Sequence, residues 1–462
     1  MKLRQHLLTA LAACALSLLP ASAQNRNTTQ LFNVPIAAGT GEVCALGDYA
    51  YVAHGTAGIE VVKISGAGSP ALVGTIRPYP GQANIDITDI EVRGTMLYVG
   101  NDVPNGGPTP HTGFFMYDLS TSPVNPALTG TLTWGAGALH HLAASTHNFC
   151  IDVAAGRTYA YIASAISNTL AVFDVTNPAL PEFKDEFYPP LSSGIVPGTV
   201  HDVTVRNGIC ASAWSTGGFA IHDVSNIASS GIDWQLEEII STTTLLNYTR
   251  AANCLTYHLA LSEDGNFLIT ADGRAYIGCR TWDLRTITAP NVPLAYTAQY
   301  TSSAGSIPHN LQVEGQYAYV AHLLDGLRVL EVLPSGQFRD MALFDTRPTS
   351  AGTSYAGAWG VFVAGEKVLV SDTAQGLYAV DFRDTITVVL AEWKNSTRTL
   401  TVEATSTAAP SVAINVTGFG TMTYSSTTGK YRLVTTGVNS NPGTVTLNSD
   451  IGGSRASSVR RR

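Results

Sequence analysis

Histidine is the residue type whose placement says most in this chain. His147, His201 and His309 each open a short stretch of alternating apolar residues, at 147–153, 201–205 and 309–313. Tyr257 holds the same place in 257–261 and sets His258 beside it. Imidazole nitrogen binds Cu, Zn, Ni and Fe alike, and three imidazoles around a metal with one open position form a catalytic arrangement. Glu42, Asp89 and Asp202 fall near equivalent positions, where a carboxylate would orient an imidazole or act as a base. These spacings are not local. A transition metal held by His147, His201, His309 and His258 therefore requires a fold that repeats one strand around a common centre. The alternative is structural: a histidine opening such a strand hydrogen-bonds its neighbour, as buried polar groups must, and duplication repeats it.

The sequence carries such a repeat, with self-similarity at about fifty residues, a period of propeller blades and solenoids. Seven units begin with an alternating strand, at 42–46, 89–92, 147–153, 201–205, 257–261, 309–313 and 359–363. A tight turn rich in Gly, Asn and Asp follows each, residues that tolerate the positive φ of hairpins. Second strands rich in aromatic and β-branched residues come next, as in Tyr49, Tyr51, Tyr159, Tyr161, Tyr317 and Tyr319. Third strands follow, and fourth strands are expected at 70–76, 126–132, 181–187, 234–240, 293–300 and 337–344. Two segments compete to complete the seventh unit, 386–393 and 28–36. The second would join the chain ends and remove exposed strand edges. With no helical period present, the expected fold is all-β. It is a seven-bladed β-propeller over residues 28–388, followed by a small β-sandwich-like domain of five or six strands over 389–462.

In that arrangement the starts of the innermost strands, the loops between second and third strands, and the long crossovers share one face. Long loops on a rigid scaffold are where binding concentrates. His54 and His322 occupy equivalent places after second strands, His111 lies in a second-to-third strand loop, and His140 and His141 lie in a crossover. Asp272, Asp372 and Asp325 fall in loops of the same face, where they would supply oxygen to calcium or simply be solvated. Trp214 and Trp359 are placed there either to stack a sugar or peptide ring or to act as buried anchors. The expected ligand-binding residues are thus His54, His322, Asp89, Asp202, Asp272, Asp372, Trp214 and Trp359.

Residues 49–65 read YAYVAHGTAGIEVVKIS and residues 317–332 read YAYVAHLLDGLRVLEV. There the chain resembles the LVIVD-repeat proteins, bacterial secreted and surface propellers that include the choice-of-anchor B group. The resemblance spans roughly 41–384 and recurs in several units. It implies a propeller outside the cytoplasm, and it implies no established reaction.

The N-terminus fits export. Lys2 and Arg4 precede an apolar run from Leu7 to Leu19, and Ala21-Ser22-Ala23 supplies a small-residue cleavage pattern, giving a signal peptide over 1–23. The run around Cys14 also resembles a lipoprotein box, although it stays apolar beyond that cysteine. No other segment is apolar enough to span a bilayer. Cleavage leaves Cys44, Cys150, Cys210, Cys254 and Cys279. Cys254 and Cys279 share a unit and are the first pair to consider for a disulfide; the alternative is that all five are buried small apolar residues. Asn247, Asn395 and Asn415 sit in glycosylation sequons.

A net charge of −8, with no basic block before Arg460–Arg462, argues against nucleic acid as a partner. Serine-elbow and phosphate-loop motifs are absent. Two readings of function remain. The first is an extracytoplasmic binding propeller, secreted, periplasmic or at the cell surface, that takes a protein, peptide or glycan. The second is a metal-dependent oxidoreductase or lyase built on the histidines.

Overall fold

The computed structural model describes residues 25–462 except 79–85, 103–112, 134–138, 144, 165–168, 189–198, 234, 236–237, 303–304, 349, 351 and 411. The expected signal peptide over 1–23, Cys14 and His111 lie outside the described residues, as do the side chains of His140 and His141. No described helix is long and apolar enough to cross a membrane.

The protein is all-β, with eight four-stranded antiparallel sheets among the described residues. Of the first six in chain order, all but the fourth run through consecutive strands. Sheet one contains Val43–Leu46, Tyr49–Ala53, Ile59–Lys63 and Ala71–Ile76. Sheets two, three, four, five and six begin at Ile87–Arg93, Thr146–Ala154, Asp202–Arg206, Thr256–Leu261 and Leu311–Glu314. Sheet seven takes Ala358–Ala364, Lys367–Asp372 and Gly376–Phe382, and its fourth strand is Thr28–Val34 from the opposite end of the chain. Thr28 pairs with Phe382 and Val34 with Leu377. Of the two segments that competed for this place, the N-terminal one occupies it.

The first strand of each sheet neighbours the first strand of the next, and that of sheet seven neighbours that of sheet one. Apolar side chains fill the spaces between adjacent sheets. Between sheets one and two, for instance, Tyr51, Ile59 and Val61 pack with Ile90, Leu97 and Phe115, all nearly inaccessible to water. Glycine makes the tight entry to the third strand possible. A Cβ on Gly326 (φ +78°) would lie 2.1 Å from the Phe344 carbonyl oxygen, and one on Gly376 (φ +90°) would lie 2.3 Å from that of Val34.

Sheet four departs from expectation. Its fourth strand is Thr244–Thr249, not 234–240. The apolar run at Glu238–Ile240 instead folds back on Gly231–Asp233 as a separate two-stranded hairpin. That inserted hairpin displaced the sequence register by several residues.

After Phe382 a five-stranded sheet and a four-stranded sheet share one core, in which Trp393, Leu400, Val402 and Tyr431 meet Ile414, Val416 and Leu447. This is more strand than the five or six expected, because Ile386–Lys394 joins the unit and short strands such as Gly420–Thr421 have little sequence signal. Met341 of sheet six packs into the same core.

No disulfide forms among the described cysteines; Cys254 and Cys279, the first pair to consider, are free thiols, and the alternative of buried small residues fits Cys44, Cys210, Cys254 and Cys279. Cys279 is buried in the core between sheets five and six, whereas the Cys254 thiol faces the Thr216 carbonyl at 3.7 Å. Asn247 is also buried, donating to the Val292 carbonyl at 2.8 Å, so its sequon is closed in the folded protein.

Candidate functional site

Each first strand enters its sheet through an irregular start. Register breaks occur between Ile87 and Asp89, Thr146 and Asn148, Thr256 and His258, and Ala358 and Val361. Bulges of this kind bend the strand and re-aim a side chain. At the other entries Gly41, His201 and His309 donate their backbone N–H to the last residue of the second strand, Ala53, Ala213 and Ala321. The equivalent positions around the circle are therefore Gly41, Thr88, His147, His201, Tyr257, His309 and Trp359, and all seven line one cavity of about 430 Å³. His258 lines it from the next position along its strand.

The structure brings the four expected histidines together. Ring centroids are 4.5 Å apart for His147 and His201, 4.9 Å for His201 and His258, and 4.5 Å for His258 and His309. Tyr257 stacks on His201 at 4.3 Å, and Trp359 leans on His309 at 3.9 Å. The result is an unbroken arc of rings over sheets three to seven. Facing it are Gly39, Thr40, Gly41, Gly55 and Thr88 from sheets one and two and their adjoining loops. The cavity exists where these small residues stand in place of rings.

The expectation that these imidazoles share one ion is not met. Among the described residues no three His, Cys, Asp or Glu side chains are placed to hold one metal. The physical reason is the arc itself, in which the imidazoles pack edge-on or tilted against one another and Nε2 of His147 meets Nε2 of His201 at 3.3 Å.

Second-position carboxylates tie neighbouring sheets. Asp89 accepts from the Phe149 N–H at 2.9 Å, and Asp202 accepts from the Leu259 N–H at 2.9 Å. Burial pushes the Asp202 carboxyl up to about 7 and raises those of Asp89 and Glu42 well above the ordinary range. Burial also lowers the imidazoles, His258 to about 3 and His201 and His309 well below their usual value, with charge repulsion among the rings adding to it. These three rings are neutral at pH 7. Nδ1 of His201, Nε2 of His258 and Nδ1 of His309 are shut off from solvent, and the backbones of Tyr257 and Trp359 interact with the rings of His201 and His309.

The remaining expected residues lie elsewhere. His54 is held by Glu60 (Nδ1 to Oε1, 3.1 Å) and by the Ala38 carbonyl (Nε2, 3.1 Å). His322 is fully buried with both ring nitrogens unpaired among the described residues. Asp272 accepts from the backbone of Leu255 and Arg274. Asp372 is paired with Arg347 at 2.8 Å with no exposed side-chain surface. Trp214 is buried and donates to the Ser212 hydroxyl at 2.8 Å. Of this set only Trp359 lines the cavity.

Sequence reasoning missed Asp102, Gly41, Gly55, Thr88 and Tyr355. Asp102 Oδ2 lies 2.8 Å from Nδ1 of His147, reaching across from sheet two. No spacing in the sequence marks it, because the contact is between units. Gly41 and Thr88 were recoverable by aligning the unit starts and asking where the ring side chain is missing.

The LVIVD repeat model matches residues 39–77, 151–188 and 307–332. No curated protein matches the sequence. In three dimensions the chain is similar to the RRP9 WD40 repeats (TM-score 0.51, 8% identity, covering 78% of this chain and 99% of that one). It is also similar to U3-55K (TM-score 0.50, 8% identity, covering 77% and 98%). At such identity the likeness is one of fold alone. The chain is an all-β, propeller-like protein that carries LVIVD repeats.

Proposed function

We propose that this chain is an extracytoplasmic binding protein, a seven-bladed β-propeller over residues 28–388 with a small C-terminal domain over 389–462, which takes a protein, peptide or glycan at its channel mouth. The carrying observation is the cavity of about 430 Å³ at the strand starts, walled by the arc of His147, His201, Tyr257, His309 and Trp359. The volume is within the roughly 300–1,000 Å³ of small-ligand sites. The circle of first strands and the N-terminal strand that completes sheet seven support the seven-bladed reading. The charged start, apolar run and Ala21-Ser22-Ala23 pattern support export.

The test is binding of the purified chain to immobilised peptide and glycan arrays, repeated with Gly41→Phe to fill the mouth and with Leu180→Asp on the outer surface. The reading expects a ligand whose binding is lost with Gly41→Phe and kept with Leu180→Asp. Binding insensitive to Gly41→Phe would place the ligand elsewhere and overturn it. For location, residues 1–23 fused to alkaline phosphatase should give activity outside the cytoplasm.

A further inference from the structure

We propose that the two-sheet unit after Phe382 docks on an anionic lipid surface through five basic side chains at its outer end, Lys394, Arg398, Arg460, Arg461 and Arg462, and holds the circle of sheets away from that surface. This surface is separate from the channel mouth and goes beyond the binding reading above.

Formal charge is divided unevenly along the chain. Residues 24–388 carry 16 Lys and Arg against 31 Asp and Glu, whereas residues 389–462 carry 8 against 3. The structure gathers five of those eight in one place. Ile386–Lys394 and Thr399–Ser406 form a hairpin, with Lys394 paired to Thr399 and Arg398 in the turn between them. Arg460–Arg461 runs beside that hairpin, Arg460 against Glu392 and Arg461 against Trp393. The Arg462 N–H donates to the Trp393 carbonyl at 2.9 Å, and the Asn395 N–H donates to the Arg462 carbonyl at 3.0 Å. All five basic residues are exposed. Glu392 is the acid beside them, and Arg462 engages it at 2.9 Å. Lys394 and Arg460 have no acidic partner among the described residues.

The other end of the hairpin meets the circle of sheets. Ile386 pairs with Ser406 there, and Ser406 donates to Asp384, two residues beyond the last strand of sheet seven. The nine residues of Ile386–Lys394 put the basic end roughly 25 Å from that junction, at about 3.3 Å per residue. This exceeds the Debye length of about 8 Å at physiological salt, so the acidic body does not cancel an attraction at the tip. The body is repelled only if it approaches the same surface, which confines contact to the basic end. Like charges converging on one exposed end repel one another, and an anionic partner relieves that cost. A cluster of about four to eight Lys and Arg is what an anionic bilayer surface attracts. A linear polyanion is instead tracked by a basic stripe or groove, and these five residues sit together at the end of one hairpin.

The experiment is co-sedimentation of the full chain with vesicles of phosphatidylcholine alone and of phosphatidylcholine with phosphatidylglycerol, at low and high salt. The proposal expects association with the anionic vesicles only, falling steeply as salt rises. Lys394→Gln with Arg398→Gln should weaken it about thirtyfold, at about fivefold for each cation lost, and Arg460→Gln alone about fivefold. Lys184→Gln with Arg206→Gln removes the same charge from the circle of sheets and should leave association unweakened. Each variant should melt as cooperatively as the parent, and the parent's own lipid and salt dependence decides the matter if one does not fold. Equal association with both kinds of vesicle, no association at low salt, or undiminished association of the folded tip variants overturns the proposal. Retention on dextran sulfate without vesicle association makes the partner a soluble polyanion and overturns it as well.

Discussion

Nε2 of His147 lies 3.3 Å from Nε2 of His201, across the boundary between two sheets. One proton is placed by the next group along. The Asp102 carboxylate can only accept, so Nδ1 of His147 donates to it. The Nε2–Nε2 contact then links the His201 ring to Asp102 through His147. Replacing Asp102 by Asn removes the obligatory acceptor. The imidazole ¹⁵N shifts of both His147 and His201 should change in Asp102→Asn, with the fold otherwise intact. Unchanged His201 shifts would show that the rings are not coupled.

The carboxylates beneath the arc should behave as ties between sheets. Asp202→Ala leaves the buried Leu259 N–H without an acceptor, an expected loss of about 1–3 kcal/mol in urea unfolding. Asp202→Asn keeps a carbonyl there and should cost much less. Equal losses from the two variants would mean the hydrogen bond contributes nothing.

His222 packs against Phe187 with ring centroids 4.4 Å apart, and burial lowers its pKa from 6.5 to about 4. Below pH 6.5 the unfolded chain takes up this proton while the folded chain does not. Stability is therefore retained above 6.5 and lost as pH falls toward 4, by about 3 kcal/mol from this group alone. His222→Phe should flatten the difference between melts at pH 7 and pH 4.5 by about 2.4 kcal/mol. Parallel pH profiles for parent and variant would sink the assignment.

Arg347 and Asp372 form a pair in which the carboxylate has no exposed surface. Arg347→Met strands that charge and should cost about 3–5 kcal/mol. Adding Asp372→Asn should restore part of it. A double variant no better than the single one would show that charge burial is not the cause.

The repeat architecture was legible because each unit carries its own hairpin turn and a Tyr- or Val-rich second strand, and these survive divergence. The meeting of His147, His201, His258 and His309 was legible for the same reason: equivalent starts on a circle must converge. What sequence could not supply was direction. Whether four rings aim at one point or lean on one another depends on bulges such as that between Thr256 and His258, which have no composition signal. The partner of His147 came from another unit, and loop aspartates such as Asp372 were already engaged by Arg347 and by backbone N–H groups. The hairpin at Gly231–Asp233 and Glu238–Ile240 hid the true fourth strand, because an apolar run reads the same in an insertion as in a blade.

Thr28–Val34 is made early and docks last, against Gly376–Phe382 more than three hundred residues downstream. During synthesis this segment has no neighbour to pair with until nearly the whole chain has emerged. The long-range closure it performs is entropically slow, so the circle of sheets is locked by a late step that joins its first and last strands. Once made, that seam couples loosening of either extreme to opening of the other, and the protein should come apart there first under load.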